Sequence, residues 1–345
     1  METIFGLDYP TLWYLVVGLL FSGYAILEGF DYGAGAWHLF FKKDLSRRIA
    51  INAIGPLWDA NQVWLIIGGG ALFAGFPVMY ATMLSSMYVP FMLFLMLLVL
   101  RSASIKFRSA EEMKWWRKTW DIIYFTSNTL ISFLLGVVLA NILQGIEIHE
   151  NFAYKGGVFF SFLNPYAIIV GLTTLSLFMM QGAIFLLLKT EGRLHARLTF
   201  LLKKGIIFFI SSFSITSLYT LIFLPGVADK FKENPVFFIL PILAFLSVAN
   251  VPRLTTKKKY TRALIFSSLT MAFLLMLVAF QLYPVLLPST IDSSFDVTIY
   301  NAASSQKSLG IMLTIVVIGA PLLAGYFLFL YKTFHGTVKL DDTSY

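Results

Sequence analysis

Apolar stretches of roughly 17 to 25 residues, the length of helix that crosses about 30 Å of hydrocarbon, recur along the whole 345-residue chain with only short polar connections between them. Inside lipid each backbone N–H and C=O must find a partner within the protein, so a chain of this kind is built from membrane-crossing helices. Composition agrees: 58% of the residues are hydrophobic and 13% charged, against about 25% charged in a soluble domain. The expected fold class is an all-α integral membrane protein. Spans are expected at 11–37, 51–76, 78–100, 120–143, 165–188, 201–224, 236–251, 263–286 and 309–331. The seventh is the shortest, since about 16 residues rise only about 24 Å.

The net charge of +8 is not a nucleic-acid signature, because the basic residues sit between apolar runs instead of on one polar face. They report topology. Counting along nine spans puts 22 of the 26 Lys and Arg residues on one side, and only Lys155, Lys230, Lys232 and Lys307 on the other. Cytoplasmic segments are enriched in Lys and Arg, so the expected orientation is N-terminus out and C-terminus in. No Lys or Arg precedes the first apolar segment and no small-residue cleavage pattern follows it, so the first helix is expected to stay in the mature chain. Trp13, Trp37, Trp115, Trp116 and Trp120 fall near span ends and read as headgroup-level anchors. Helices one and five each close on a Gly-containing polar patch, Glu28-Gly29-Phe30-Asp31 and Gln181-Gly182-Ala183, and each precedes a basic loop. A single membrane domain with a parallel repeat, 1–143 and 165–286, plus a peripheral ninth helix at 309–331, is one reading; a general likeness of helix ends is the other.

Polar residues at membrane depth carry the chemistry. Asp59 lies about eight residues into the expected second helix, with Asn61 and Gln62 beside it and Asn52 two turns back on the same face. A bare carboxylate there costs about 2.5 to 3.5 kcal/mol or more, so it reads as a proton relay or as a neutral acid bonded to another helix. Glu28 and Asp31, three residues apart, share a face near the end of the first helix. They read as a proton-collecting pair at the membrane mouth, as a solvated helix end, or as partners of Arg47, Arg48 or Arg101. Gly29 with Gly33, and Gly68 to Gly70, suit close helix packing. His38, His149, His195 and His335 all fall in loops or at span ends, where surface or interfacial positions are expected and no bis-histidine haem site can form in mid-membrane. The absence of cysteine removes thiolate-held clusters and disulfides. No pair of side chains has metal-ligand spacing, so no metal and no cofactor is expected on this chain.

The run Asn52-Ala53-Ile54-Gly55-Pro56-Leu57-Trp58-Asp59-Ala60-Asn61-Gln62-Val63-Trp64-Leu65, with Leu27-Glu28-Gly29-Phe30-Asp31-Tyr32-Gly33-Ala34-Gly35 before it and Gly69-Gly70-Ala71-Leu72-Phe73-Ala74-Gly75-Phe76-Pro77 after it, resembles subunit II of the cytochrome bd-type quinol oxidases. Asn141-Ile142-Leu143-Gln144-Gly145, Leu163-Asn164-Pro165-Tyr166, Lys189-Thr190-Glu191-Gly192-Arg193, Phe266-Ser267-Ser268-Leu269-Thr270, Leu287-Pro288-Ser289-Thr290 and Asn301-Ala302-Ala303-Ser304-Ser305 extend the likeness over essentially the whole chain.

The resemblance implies a subunit of a respiratory terminal oxidase in the bacterial cytoplasmic membrane. Such an oxidase takes electrons from quinol and reduces O₂ to water. The haems, two b-type and one d-type or all b-type, would be carried by a partner subunit I that also receives the quinol. This chain would be inactive alone, would stabilise that partner in a heterodimeric core, and would help deliver cytoplasmic protons. Asp59 would act as relay and Glu28 with Asp31 as uptake pair, supported by Asn52, Trp58, Asn61, Gln62 and Trp64. A structural quinone and small single-span accessory subunits occur in some family members. The resemblance also sets one departure: where the family commonly carries an acid, this chain has Lys106. The competing class is a stand-alone ion- or proton-coupled transporter, which should show broken helices at matched positions in its two halves.

The charge asymmetry yields a direct test of topology. Periplasmic reporter fusions after Lys155, Lys232 and Lys307 should be active, and fusions after Lys43, Lys106 and Lys258 silent. A reversed result at any one site would break the nine-span assignment.

Overall fold

The computed structural model describes residues 3–4, 6–157, 159–224 and 238–340. Lys230, Lys232 and the expected start of the seventh span at Val236 lie outside the described residues. Among those described, eleven α-helices run in order: α1 Tyr9–Ala36, α2 Asp44–Ile54, α3 Trp58–Gly75, α4 Pro77–Ser86, α5 Tyr88–Phe107, α6 Lys114–Gln144, α7 Pro165–Lys189, α8 Gly192–Phe223, α9 Ile239–Thr256, α10 Tyr260–Leu282 and α11 Gln306–Thr333. Eight of them are long and apolar enough to cross a membrane, and α3 with α4 makes a ninth if that bent pair counts as one span. Among the described residues the remaining regular structure is four single-turn 3-10 helices and two short antiparallel hairpins, Thr3–Ile4 with Leu7–Asp8 and Val285–Leu287 with Val297–Thr298. The protein is an all-α membrane protein.

Several helix starts are written in side chains. Asp8 accepts from the Thr11 amide ahead of α1, Asn164 from the Ala167 amide ahead of α7, and Ser305 from the Ser308 amide ahead of α11. Each satisfies an amide that the first turn leaves without an intrahelical partner. Pro10 and Pro165 occupy first-turn positions where no N–H is needed.

The expected second and third spans are each divided. Gly55-Pro56-Leu57 separates α2 from α3, because proline removes an amide donor and its ring crowds the preceding turn. Between α3 and α4 the chain bends by 116° at Phe76, and Pro77 opens α4. Carbonyls freed at that bend are taken up from a distant loop, with the Ser304 amide bonding Gly75 O at 2.9 Å and the Ser304 hydroxyl bonding Ala74 O at 2.6 Å. A further break at Met87 precedes α5.

The bundle is centred on α1 and α7. Helix α1 packs on α3, α6, α7, α10 and α11. In α7, 78% of the apolar window is buried, against 11% in α11, which is therefore the peripheral helix. Glycine makes the α1–α7 crossing close. A Cβ on Gly33 would lie 1.7 Å from the Phe178 carbonyl oxygen, and one on Gly182 would lie 2.3 Å from the Ala34 amide nitrogen. Two of the expected interfacial tryptophans are instead core residues that bond across helices: buried Trp13 donates to Ala71 O at 3.0 Å and buried Trp37 to Met179 O at 2.7 Å. Their indole N–H groups find carbonyl partners inside the bundle, as buried tryptophans need. Trp115 keeps the exposed position expected of it.

Gly33→Ala forces its methyl against backbone that no rotamer change can move. It should destabilise the assembled protein by about 3 kcal/mol, the upper end of overpacking costs, and sharply lower the yield of folded complex. Gly319→Ala, where nothing in the chain lies within 4 Å of the added carbon, should leave yield and thermal midpoint unchanged or slightly raised, as read by a size-exclusion thermal melt.

Candidate functional site

In the last third of α1, Glu28 and Asp31 are both fully buried. The spacing of three that put them on one face in the sequence now turns that face inward, so they are not at a solvated membrane mouth. Arg101, also fully buried, reaches them from α5: its Nη2 lies 3.1 Å from Glu28 Oε2 and 3.9 Å from Asp31 Oδ2. The rest of the guanidinium is spoken for. Its Nε donates to Asn128 Oδ1 at 3.0 Å, and Asn128 is held by donating to the Tyr124 carbonyl at 2.7 Å. Room for Asn128 comes from Gly35, where a Cβ would fall 2.2 Å from Asn128 Cγ. The Tyr32 ring lies under the guanidinium at 4.6 Å, a placement that favours a cation.

Asn61 from α3 closes the other side. Its amide donates to Asp31 Oδ2 at 2.9 Å and to the Leu27 carbonyl at 3.3 Å, and its own oxygen accepts from the Tyr331 hydroxyl at 3.1 Å. The cluster therefore joins α1, α3, α5, α6 and α11. Asp31 Oδ1 and Glu28 Oε2 make no hydrogen bond within the chain.

Asp59 is elsewhere from where continuous helix would place it. With the chain broken at Gly55 to Leu57, it stands in the first turn of α3 and is exposed on this chain. It remains near enough to Glu28 for the two charges to be felt. Asn52, expected on the same helix face, belongs to α2 and donates to Arg48 O at 2.9 Å, on the far side of the break. Trp58 is buried, with Arg101 Cζ 6.0 Å and Lys106 Nζ 5.7 Å from its ring centre. Gln62 and Lys106 line a shallow groove between α3 and α5. Trp64 packs its ring over Gly23 and lies 5.6 Å from Phe327, a packing position.

A second polar cluster joins the ends of α1, α5 and α6, and sequence reasoning placed no weight on it. Buried Asp121 bonds His38, accepts from Arg47 Nη1 at 2.8 Å and from Arg108 Nε at 2.6 Å. Arg108 continues to Asp44 at 2.5 Å, and Asp44 to Arg117 at 3.3 Å. Burial alone would discourage charge on Arg108, yet its contacts to Asp121 and Asp44 outweigh that and hold its pKa above the ordinary arginine value. His38 is thus a buried partner of a carboxylate and not the interfacial histidine expected. The signal was available: Asp121 opens an apolar run, and Arg108, Lys114, Arg117 and Lys118 precede it closely in the sequence.

Each of the four histidines has one ring nitrogen in a hydrogen bond. His38 is engaged by Asp121, His149 by Glu147, His195 by the Thr190 carbonyl and His335 by the Lys332 carbonyl. Among the described residues no group of three or more His, Asp or Glu side chains could hold a metal ion.

Polytopic helical architecture with an ion-paired acidic cluster in its interior defines a membrane protein equipped to hold charge at depth. The sequence profile described as cytochrome bd terminal oxidase subunit II matches residues 9–334, and the chain belongs to that family. It is 30% identical to cytochrome bd-I ubiquinol oxidase subunit 2 of Escherichia coli (strain K12), over 97% of each chain. It is 32% identical to cytochrome bd ubiquinol oxidase subunit 2 of Bacillus subtilis (strain 168), over 95% of this chain and 96% of that one. The fold resembles that in the structure of bd oxidase from Geobacillus thermodenitrificans, with a TM-score of 0.78 at 18% identity, covering 94% of this chain and 98% of the other. The protein is thus a subunit of a respiratory quinol oxidase complex of the bacterial cytoplasmic membrane, partnered by a haem-bearing subunit I. A match of this length disfavours the stand-alone transporter.

Removing one partner of a buried ion pair leaves an uncompensated charge, worth about 3 to 5 kcal/mol. Arg101→Ala should therefore abolish accumulation of the assembled complex. Arg101→Met combined with Glu28→Gln and Asp31→Asn, which removes both charges with the cation, should recover part of the yield, measured as haem per milligram of membrane protein.

Proposed function

We propose that this chain, lying with its N-terminus outside, stabilises the haem-bearing subunit I and carries cytoplasmic protons toward it, with Asp59 as the uptake group and Glu28 with Asp31 as the buried relay. The observation that carries the reading is the stoichiometry of the α1 cluster: two fully buried carboxylates meet one guanidinium. Such a cluster is neutral with one proton aboard, so a proton can be gained and lost there without leaving Arg101 unpaired. The unbonded oxygen Asp31 Oδ1 offers the acceptor site that transfer needs.

The sequence alone gave the opposite order, with Asp59 deep and the pair at the mouth. Exposure of Asp59 and burial of Glu28 and Asp31 support the order proposed here. Asn61 and Tyr331 hold the Asp31 carboxylate in place, and Trp58 lies beside Arg101 on the Asp59 side. Stabilisation of subunit I is supported by the extensive apolar surface left uncovered on this chain, with Ile66, Val99 and Leu322 each more than two-thirds or about two-thirds exposed.

Gln at position 28 keeps shape and one acceptor but cannot carry a proton. Glu28→Gln should leave haem content near normal while oxygen consumption per haem falls tenfold or more, about 1.4 kcal/mol of added barrier. Asp59→Asn should fall less, because water at an exposed position substitutes for it in part. Full turnover in a correctly assembled Glu28→Gln enzyme would place the protons on another path.

A further inference from the structure

On the face of the molecule that carries most of its basic residues, a cavity of about 660 Å³ opens between the end of α1, the start of α2 and the first two turns of α6. Arg47, Lys114, Arg117 and Lys118 line it, with Asp44, Glu112 and Asp121. The carboxylates do not balance the cations equally. Asp121 is bonded by His38, Arg47 and Arg108, and Asp44 by Arg108 and Arg117. Lys114 and Lys118 have no ion-pair partner among the described residues, and Glu112 is the remaining carboxylate. Arg108 stands behind Asp44 and Asp121 and adds a fifth cation, with its buried Nη1 making no hydrogen bond.

Three features of the start of α6 are each unfavourable in the chain by itself. Lys114 and Lys118 are four residues apart, so two like charges share one helix face. They, with Arg117, sit in the first turns, where the helix dipole disfavours cations. The residue ahead of the helix is Met113, which supplies no side-chain acceptor to the free amides. One phosphate group would relieve all three. The apolar part of the lining points to the source of that phosphate: Ile122 lines the cavity and is 46% exposed, neighbouring Phe40 is 42% exposed and Trp115 61%. An inorganic anion has no use for that surface, whereas a phospholipid sets its acyl chains there and its headgroup among the cations.

We propose that this cavity is a binding site for a phosphate-bearing ligand, namely the headgroup of an anionic phospholipid, held by Lys114, Lys118, Arg47 and Arg117. The proposal does not depend on the proton route, and its test reads lipid and not turnover. Native mass spectrometry of the purified oxidase complex, after exchange into detergent with phosphatidylglycerol, should show one fewer retained phosphatidylglycerol in Lys114→Gln/Lys118→Gln than in the unaltered complex. The rise in thermal midpoint on moving from phosphatidylcholine to phosphatidylglycerol nanodiscs should shrink in the same variant. Lys203→Gln/Lys204→Gln removes equal charge from α8 and should change neither. Equal lipid counts in the unaltered complex and the α6 variant, or an equal loss in the α8 variant, would overturn the site. Protection by inorganic phosphate alone that matches phosphatidylglycerol would overturn the lipid assignment.

Discussion

One guanidinium held against two carboxylates inside an apolar bundle is the interaction around which the rest of this structure is arranged. Each ion taken from water carries an effective penalty of several kcal/mol, recovered only with close approach and saturated hydrogen bonds. Arg101 therefore needs Glu28, Asp31 and Asn128 at once, and these come from two other helices. Asn128 can approach only because position 35 has no side chain. The same stretch of α1 turns its other side to α7, where Gly33 and Gly182 bring backbone against backbone. Gly35, just beyond the acids, thus serves the charges by letting Asn128 come close enough to hold Arg101, while Gly33 serves the packing of α1 on α7.

Breaks in the backbone do complementary work for Asp59. Had the chain run as one helix from 51 to 76, Asp59 would sit about two turns deep in it. Because Pro56 ends the preceding segment, Asp59 falls in the first turn of a new helix, where unpaired amide N–H groups and the helix dipole stabilise an anion by about 0.3 to 1 kcal/mol. An exposed carboxylate at a helix start needs no buried counter-ion. The acids of the two helices are thereby given different environments by local backbone chemistry alone, one closed and compensated, the other open.

The helical class and the spans were legible because the bilayer leaves few ways to satisfy a backbone, and apolar length reports that directly. Segments 120–143, 165–188 and 309–331 reappear as α6, α7 and α11 with small extensions. Where reading by apolar length failed, the helix breaks inside an apolar run: at Gly55-Pro56-Leu57 between α2 and α3, and at Met87 between α4 and α5. The acids were visible as residues out of place, but their depth was not, because depth depends on the helix break for Asp59 and on which way α1 faces for Glu28 and Asp31. Arg101 entered the reading chiefly as one loop charge among many. The expected span stopped at residue 100, one short of Arg101, whereas α5 runs on to Phe107 and carries Arg101 within it. His38 and Asp121 illustrate the same blindness, since 83 positions separate two groups that bond directly.

Lys106 gives the proposed route its particular character in this chain. An acid in its place, as the family resemblance suggests is common, would add a second carboxylate near Asp59. Instead, an ammonium lies 5.7 Å from the Trp58 ring, while Arg101 approaches that ring at 6.0 Å. Trp58 therefore has an exposed cation and a buried one within reach of its π-system, and it separates the two charges. Lys106 makes no ion pair with Asp59 among the described residues, and attraction to the aromatic face gives it a resting place away from that carboxylate. On the proposed path Asp59 would be the uptake acid without a second carboxylate at position 106. The positive charge at position 106 is held near an indole, and no ion pair joins it to Asp59 among the described residues.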